Sequence, residues 1–492
     1  MANEYKTPGV YIEEIPHLPP SIASVETAIP AFIGYTEKAQ WKAPGDLLNK
    51  AWRIESMLEY ELYFGNPDPE VGSLTVTFAT VNGQTTATAS VDETKRSKHL
   101  MYYSLQMFFI NGGGPCWIVS VGSYTDDGGK IAVAKLTGDD ATQSGGLFET
   151  AKINEITLLV FPDSTNIDTA ANYYLLHTLA IQQCVDLKDR FVIMDIYHDV
   201  ANKDVWRLDI INSDTTKGMR NILTGTTDHL NYAATYFPRI YTGIDFYYKT
   251  LVGDKLVDND ASIALVNAPD SLTTLDKLQK GHNALYFQAK AAVTDMEMLL
   301  PVASSMAGIY AQIDNARGVW KAPANVNIVN ATRPLYLIST KEQEDLNVDP
   351  QDGKSVNVIR SFQGRGPAIV WGARTLAGND NEWRYISVKR FFIMVEESVK
   401  NATQQFVFEP NDENTWVRVK SMIQNYLTQQ WKAGALMGAS VKEAFFVHVG
   451  LGETMTEQNV LEGYMIIQIG MAAVRPAEFI VLQFMHKLLS ES

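Results

Sequence analysis

The sequence predicts a chain of several domains that combines an α/β middle region with an α+β C-terminal domain. The α/β prediction comes from an apolar run at Ile156–Phe161, a helical pattern at Thr169–Cys184 and a second apolar run at Phe191–Ile196. Strand, helix and strand in that order are typical of a parallel unit. Nearer the C-terminus, the apolar runs Val441–Val449 and Tyr464–Val474 flank a polar connection and predict two inner strands. At 492 residues the chain is long enough for two or three domains.

A β-hairpin is predicted within the first hundred residues. The runs Leu74–Val81 and Thr85–Val91 alternate in polarity, and the dipeptide Asn82-Gly83 joins them. Asn-Gly between alternating runs is the strongest short-range hairpin signal. The many threonines of both runs suggest an exposed, decorating element. We therefore expect a β-rich insertion in the outer part of the middle region, at about residues 66–150.

The composition excludes some functions and suggests a compartment. A formal charge of −15 and a pI near 5.1 argue against a general nucleic-acid or membrane binder, which would carry a basic face. Cys116 and Cys184 could form one disulfide, but both lie in apolar runs, which favours buried free thiols in a reducing compartment. Residues Met1–Lys6 lack the apolar core of a signal peptide, and the apolar run at Tyr464–Val474 is too short to span a bilayer. We therefore expect the protein to be made and assembled in the bacterial cytoplasm.

Both ends of the chain carry a short apolar, strand-like run on an extended tether. Residues 8–15 are followed by three prolines at 16, 19 and 20, which exclude a helix or a central strand. At the other end, Arg475-Pro476 breaks the chain before the run Ala477–Met485. Such strands invite another chain to pair with them. Most terminal strands pair inside their own subunit, however, and the pattern by itself favours that reading.

The sequence contains no complete motif for a catalytic, cofactor or metal site. The tripeptide Gly353–Ser355 matches the end of a phosphate-binding loop, but Val348 stands where the first glycine is required. Acidic residues within Asp345–Asp349 fall at calcium-loop positions, yet Pro350 and Val356 occupy the positions of the required glycine and glutamate. Paired histidines and a Gly-x-Ser-x-Gly elbow are also missing. An α/β hydrolase-like enzyme with an unrecognised active site stays open as the alternative, and mutating Ser–His pairs in an ester assay would test it.

Four segments carry a resemblance to a known family. They are Asp314–Asn325, Trp371–Leu376 (WGARTL), Trp383–Arg390 (WRYISVKR) and Val407–Trp416 (VFEPNDENTW). These segments are long and unusual, and together they strongly resemble the contractile tail sheath proteins of phages, pyocin-like particles and extracellular contractile injection systems. Basic residues lie within or near them, at positions 365, 374, 384, 389 and 390. An anion site is one reading of these side chains, although such residues are more often solvated or hold loops through carboxylate pairs. The resemblance implies that some of them meet the inner tube.

The resemblance implies a mechanical polymer and not an enzyme. It implies a homo-oligomeric sheath of stacked hexameric rings that surrounds an inner tube and contracts to drive the tube through a target envelope. The implied partners are further copies of the chain, the inner tube protein, and the baseplate and cap or terminator proteins, with no nucleic acid, no cofactor and no direct membrane insertion. In type VI secretion sheaths the equivalent body is split between two polypeptides, whereas one chain carries it here. This favours a phage tail or a released extracellular particle, between which the sequence does not decide.

The resemblance also implies a division of the chain. Residues 1–20 are expected to form an N-terminal arm, residues 21–345 an outer middle region, residues 346–475 an inner C-terminal domain and residues 476–492 a C-terminal arm. In this family the arms look like strands that join neighbouring subunits into a mesh, each completing a small sheet in a neighbour's C-terminal domain. The residues implied as arm strands are Val10, Tyr11, Ile12, Ile15, Phe479, Ile480, Val481, Leu482 and Phe484. Those implied as the acceptor sheet are Phe445, Phe446, Val447, Tyr464, Ile466 and Ile467.

One amphipathic helix is the candidate for contact with the inner tube. Apolar residues recur at helical spacing between Thr415 and Lys432, with Asn411 or Asp412 as the expected N-cap and Gly434 as the expected stop. Two basic residues, Arg418 and Lys420, lie off the apolar stripe. A solvated helix face and contact with acidic residues of the tube are both open readings of this pair.

Overall fold

The computed structural model describes residues 22–197, 216, 218–252, 255–350 and 353–481. These residues form two compact units. The large unit contains residues 26–394 and 475–481, and the small unit contains residues 22–25 and 395–474.

The strands of the large unit come first. They are β1 (Pro30–Thr36), β2 (Ala51–Ile54), β3 (Leu74–Val81), β4 (Gln84–Val91), β5 (Cys116–Ser123), β6 (Leu158–Val160), β7 (Phe191–Asp195), β8 (Ala233–Phe237), β9 (Ile240–Thr242), β10 (Lys249–Val252), β11 (Lys255–Asp258), β12 (Ala264–Val266), β13 (Met298–Leu300), β14 (Ala331–Pro334), β15 (Asn357–Phe362) and β16 (Gly366–Trp371). Its helices are α1 (Met57–Phe64), α2 (Met101–Ile110), α3 (Val133–Thr137), α4 (Gly146–Thr150), α5 (Ala170–Leu187), α6 (Met219–Ile222), α7 (Thr227–Leu230), α8 (Leu275–Leu278), α9 (Asn283–Thr294), α10 (Ala303–Arg317) and α11 (Thr340–Asn347).

Helix α12 (Ile386–Thr403) runs across the division between the two units. The remaining elements belong to the small unit. They are α13 (Glu413–Lys432), α14 (Val441–Ala444), β17 (Phe445–His448), α15 (Glu457–Leu461) and β18 (Gln468–Met471).

The large unit is built on an eight-stranded sheet. Its strand order is β16-β15-β8-β7-β6-β1-β5-β2. The six strands from β15 to β5 run parallel, whereas β16 and β2 are antiparallel to their neighbours. Smaller sheets are formed by β12-β3-β4, by β13-β9-β14 and by the hairpin β10-β11.

Both faces of the large sheet are buried. Phe32 of β1 and Ile118 of β5 belong to one apolar cluster, while their neighbours Ile33 and Val119 belong to a second cluster. Successive residues of a strand point to opposite faces, so the two clusters lie on the two sides of the sheet. Apolar side chains on both faces are typical of a parallel sheet covered on both sides.

The predicted strand–helix–strand unit is confirmed. Strands β6 and β7 pair in parallel, and α5 connects them. The hydroxyl of Thr169 accepts the backbone N–H of Asn172 at 3.3 Å and caps the start of α5. The predicted mixture of α/β and α+β architecture in more than one unit is also correct.

The predicted hairpin is confirmed as well, but its predicted exposure is wrong for β3. Asn82 and Gly83 adopt φ values of 51° and 77°, which a two-residue hairpin turn of the primed type requires. Leu74, Val76 and Phe78 of β3 are buried in the core of the large unit. The alternating runs therefore form a half-buried sheet, because β3 also pairs with β12 on its other side.

The division of the chain differs from the predicted one. Strand β5 lies inside the range expected to be an insertion, yet it is a strand of the large sheet. The boundary expected near residue 346 falls inside the large unit, because β15 and β16 complete the large sheet after that point. Residues 475–481, which include the start of the expected C-terminal arm at residue 476, cluster with the large unit.

Candidate intersubunit surface

The small unit contains a sheet of only two strands, β17 and β18. The strands are antiparallel, with Phe445 opposite Met471 and Val447 opposite Ile469. In the same register, the N–H of Ala472 donates to the carbonyl of Ala444 at 2.9 Å. Hydrogen-bonded and non-hydrogen-bonded pairs alternate along an antiparallel ladder. The Phe445–Met471 and Val447–Ile469 pairs are therefore non-hydrogen-bonded, and their backbone groups point away from the partner strand.

The outer edge of β17 is consequently open along this stretch. The backbone N–H and C=O groups of Phe445 and Val447 point away from β18. The N–H of Phe445 donates to the carbonyl of Val441, and the other three groups have no backbone hydrogen-bond partner among the described residues. The side chains of both residues are buried on the face that packs against α13. An incoming strand would meet unpaired backbone groups beside a buried apolar face, which is the arrangement that strand addition requires.

The outer edge of β18 is open in the same way. The N–H of Met437 donates to Ala472 at 2.7 Å and the N–H of Val474 donates to Ala435 at 3.1 Å, so residues 435–437 lie on the side of β18 that β17 occupies. On the opposite side, Ile469 and Met471 have no backbone partner among the residues that the structure describes.

The predicted acceptor residues divide into two groups. Phe445, Phe446 and Val447 lie in β17 as expected. Phe446 is 51% exposed, and its ring lies over Gly470, where an added Cβ would overlap it. Tyr464, Ile466 and Ile467 precede β18 and belong to no strand, so the predicted strand Tyr464–Val474 is too long.

The predicted strand Val441–Val449 is also too long, because its first residues form a helical turn. Helix α14 covers Val441–Ala444, and β17 begins only at Phe445. The side chain of Glu443 accepts the backbone N–H of Ala439 at 2.8 Å and holds this turn. A local side-chain bond of this kind competes with strand pairing.

Only part of the predicted arms lies within the described residues. Val10, Tyr11, Ile12, Ile15, Leu482 and Phe484 lie outside them. Phe479, Ile480 and Val481 are described, belong to no strand, and are 71%, 80% and 78% exposed. Three consecutive exposed apolar residues are unusual on a soluble surface and mark a segment that gains by being covered.

The helix predicted to face the tube forms with the expected cap. Asp412 accepts the backbone N–H of Thr415 at 2.9 Å at the start of α13, and the helix ends at Lys432. Arg418 is exposed, with its guanidinium 5.4 Å from the ring centroid of Phe406. Lys420 lies 3.5 Å from the carboxylate of Glu453 and is therefore partly neutralised. Of the predicted pair, Arg418 is the more accessible cation.

Two of the basic residues flagged in the sequence hold loops through carboxylates. Arg390 pairs with Asp314 at 2.5 Å and also donates to the carbonyl of Thr27 at 2.7 Å. Arg374 pairs with Glu478 at 2.6 Å. Sequence reasoning missed both carboxylates, since each lies more than seventy residues from its arginine and no periodic pattern links them.

The described residues were also compared with the requirements of a metal site, a membrane span and a reactive thiol. They contain no group of three or more His, Cys, Asp or Glu side chains that could hold a metal ion. None of their helices is both long and apolar enough to cross a membrane. Cys116 and Cys184 are free and buried, as predicted, and burial raises the pKa of each thiol.

Comparison with known proteins agrees with the resemblance. Residues 378–486 match the family model of the phage tail sheath C-terminal domain. The tail sheath protein of Burkholderia phage BcepMu is 25% identical over 255 residues, which are 47% of this chain and 52% of that protein. The match thus spans about half the length of that curated relative.

Two solved structures share the fold over nearly the whole chain. A chain in the six-fold symmetrised cryo-EM structure of the anti-feeding prophage (AFP) baseplate gives a TM-score of 0.61 at 28% identity, covering 98% of this chain and 100% of that chain. A chain of the extracellular contractile injection system PVC sheath complex, in its contracted state, gives 0.58 at 27% identity and covers 99% of both. The relatives are structural sheath proteins and not enzymes, so the hydrolase alternative is not supported. From these matches and its own motifs, residues 378–486 belong to the phage tail sheath C-terminal domain family, and the chain as a whole is similar to contractile tail sheath proteins.

Proposed function

We propose that this chain is the structural subunit of a contractile sheath that polymerises as stacked hexameric rings around an inner tube. The observation that carries the proposal is the two-stranded sheet with two open edges, in a chain whose ends both carry apolar, strand-like runs. A two-stranded sheet is marginal by itself and gains stability from further strands. The six-fold symmetry of the related baseplate structure supports rings of six.

The donor strands of the proposal are the two arms. Val10–Ile15 and Phe479–Met485 each add to an edge of a neighbour's β17–β18 sheet, one beside Val447 and the other beside Met471. A strand of this length makes several backbone hydrogen bonds, each worth about 0.5–1.5 kcal/mol net. Covering an exposed apolar side chain such as Ile480 adds roughly 1.5–3 kcal/mol when it becomes fully buried.

The proposed contraction mechanism depends on how the arms join neighbouring subunits. Subunits joined by strands on extended tethers can rotate past one another without separating. The extended lattice repacks into a contracted one of lower free energy, and the bistable element is the interface between subunits. The contracted state named for the related sheath complex supports this motion. The stroke drives the inner tube through a target envelope and consumes no nucleotide.

The proposed partners follow from the same assembly. They are other copies of the chain, the inner tube protein, the baseplate and a cap or terminator protein. Arg418, and to a lesser degree Lys420, are the proposed contacts to acidic residues of the tube. The subunit is proposed to assemble in the bacterial cytoplasm and to leave it as part of a phage tail or an extracellular contractile particle.

Assembly of the purified chain tests the proposal. Negative-stain electron microscopy should show rings or hollow tubes of the full-length protein over a range of concentrations. A variant that lacks residues 1–16 should stay folded, with nearly the same melting temperature, and should form neither. A monodisperse monomer at every concentration would contradict the structural function. A truncated chain that still polymerises would contradict the role of the N-terminal arm.

A further inference from the structure

The segment that begins the C-terminal arm is held by one side chain. Among the described residues, Glu478 makes all of the hydrogen bonds found for residues 475–481, and it makes them through its carboxylate. The next three residues, Phe479–Val481, are exposed and without regular structure. The root of the arm is therefore fixed at a single point, directly before its apolar run.

Four donor groups of three residues form a socket for this carboxylate. Arg374 donates from Nε at 2.9 Å to one carboxylate oxygen and from Nη2 at 2.6 Å to the other. Asn347 donates from Nδ2 at 2.8 Å, and the hydroxyl of Tyr385 donates at 3.2 Å. Burial would raise the pKa of Glu478, but these hydrogen bonds and the charge of Arg374 together hold it below its usual range.

The socket is built by the large unit without help from the arm. The side chain of Arg374 is 4% exposed, and its Nη1 also donates to the carbonyls of Asn347 and Gly378 at 3.3 and 3.1 Å. The side chain of Asn357 bonds both the N–H and the C=O of Arg374, each at 2.8 Å. The guanidinium is thus oriented by the body of the protein, and Glu478 occupies a preformed site.

Ser24 and Val25, near the first described residue, are held by neutral hydrogen bonds. Val25 donates its N–H to the hydroxyl of Ser398 at 3.0 Å, and Ser24 shares a hydrogen bond of 3.1 Å with the hydroxyl of Tyr426. These bonds are neutral and partly exposed. Charge-assisted bonds are roughly twice as strong as neutral ones. Such bonds occur two residues further along, where the hydroxyl of Thr27 donates to Asp314 at 2.6 Å and its carbonyl accepts from Arg390 at 2.7 Å.

We propose that the Arg374 socket is the anchor of the C-terminal arm, and that Glu478 positions Phe479–Val481 for a neighbouring subunit. The inference rests on the proposed strand exchange. In the assembled sheath, tension on this arm passes through Glu478 into the large unit at Arg374. Arg374, Asn347 and Tyr385 are positioning residues and do not touch the neighbour.

A spin label on the arm tests the anchor directly. In a Val481→Cys chain the label attaches at residue 481, because Cys116 and Cys184 are fully buried. In the full-length chain below its assembly concentration, Glu478→Gln should make the label several-fold more mobile. Glu457→Gln, which removes an exposed charge elsewhere, should leave the mobility unchanged. Without the label, Glu478→Gln should raise the concentration needed for assembly by roughly tenfold or more, since bonds to a charged group are lost.

A second, more conservative variant tests the anchor even if Glu478→Gln disturbs folding. Tyr385→Phe removes one donor of the socket and keeps the ring, so it should stay folded and raise the label's mobility by a smaller factor. An unchanged label in both variants would overturn the anchor. A freer label with an unchanged assembly concentration would overturn the positioning role. If the unsubstituted chain does not assemble at all, the strand exchange is wrong, and the label mobility still decides whether the socket holds the arm.

Discussion

The eight-stranded sheet of the large unit and the two-stranded sheet of the small unit differ in how the backbone groups of their strands find hydrogen-bond partners. In the large sheet, six strands lie between two neighbours, and both faces are covered by apolar clusters. The outer edge of β16 is covered too, because Asn325 donates to Val370 at 2.7 Å and Ile328 donates to Ala368 at 2.9 Å. In the small sheet, both strands are edges. The N–H of Phe445 donates to Val441, but the other outward backbone groups of β17 and β18 have no backbone partner among the described residues.

This difference indicates which sheet has a stability that depends on protein concentration. The strands of the large sheet pair within the chain, so the stability of this sheet is a property of the single chain. The β17–β18 sheet is completed only by further strands, so in the proposed sheath its stability depends on neighbours by mass action. Changes in the two sheets should therefore appear in different measurements: melting of the monomer for the large unit, and assembly for the small sheet.

The largest expected effect comes from closing the open edge of β18. Met471→Pro removes an outward N–H and places a ring at the edge, while the ladder to β17 is kept because Met471 is in a non-hydrogen-bonded pair. Strand addition should weaken by about 3 kcal/mol, or roughly a hundredfold in assembly concentration. Sedimentation and electron microscopy measure this, and the monomer should melt within a few degrees of the unsubstituted chain.

Met471→Ala is the matched control, because it shortens the side chain but keeps the N–H. It should still assemble, with a smaller shift in concentration. Normal assembly of the proline variant would mean that this edge accepts no strand. A proline variant that melts early would mean that β17–β18 pairing does not tolerate the change, and Val447→Pro then tests the other edge.

How much the sequence could predict depended on the distance between the interacting residues. The β6–α5–β7 unit, the Asn82-Gly83 turn and the Asp412 cap of α13 were all predicted, since each is encoded by residues a few positions apart. Strand lengths in the small unit were overestimated. The apolar run at Val441–Val449 does not reveal that Glu443 stabilises a helical turn in its first half.

The anchor of the C-terminal arm could not be predicted. Arg374 and Glu478 are 104 residues apart, and nothing in their local patterns pairs them. The same holds for the addition of β15 and β16 to a sheet whose other strands end before residue 238. Long-range pairing is decided by tertiary packing, which hydrophobic periodicity does not report.

A second, smaller effect should appear in the large unit and depend on pH. Asp195, at the end of β7, accepts the N–H groups of Val302 and Ala303 at the start of α10, and burial raises its pKa to about 6. A raised pKa in the folded state means that folding favours the protonated form. The stabilising contribution is complete below about pH 4 and is lost as the pH rises through about 6, a change of roughly 2–3 kcal/mol.

Asp195→Asn should abolish this slope, because the amide oxygen can still accept the two N–H groups and carries no charge. Denaturant unfolding of the unassembled chain between pH 4 and pH 7 measures it. Asp276→Asn, at an exposed carboxylate, is the control and should leave the slope in place. If the unfolding free energy of the unsubstituted chain falls between pH 4 and pH 7 and Asp195→Asn leaves that fall unchanged, the assignment to Asp195 is wrong.

The smallest expected effect on the sheath itself comes from the exposed charges of α13. Arg418→Glu and Lys420→Glu should leave rings and tubes of the chain intact, because exposed pairs are worth only about 0.2–1 kcal/mol. Binding to the inner tube protein should fall, and the fall should be larger for Arg418 because Lys420 already pairs with Glu453 at 3.5 Å. Co-sedimentation with tube protein at low and high salt measures this. Lys432→Glu, on an exposed residue at the last turn of the same helix, should change neither assembly nor tube binding. Equal binding by the Arg418 variant and the unsubstituted chain at low salt would remove this face of α13 from the tube contact and leave the assembly proposal untouched.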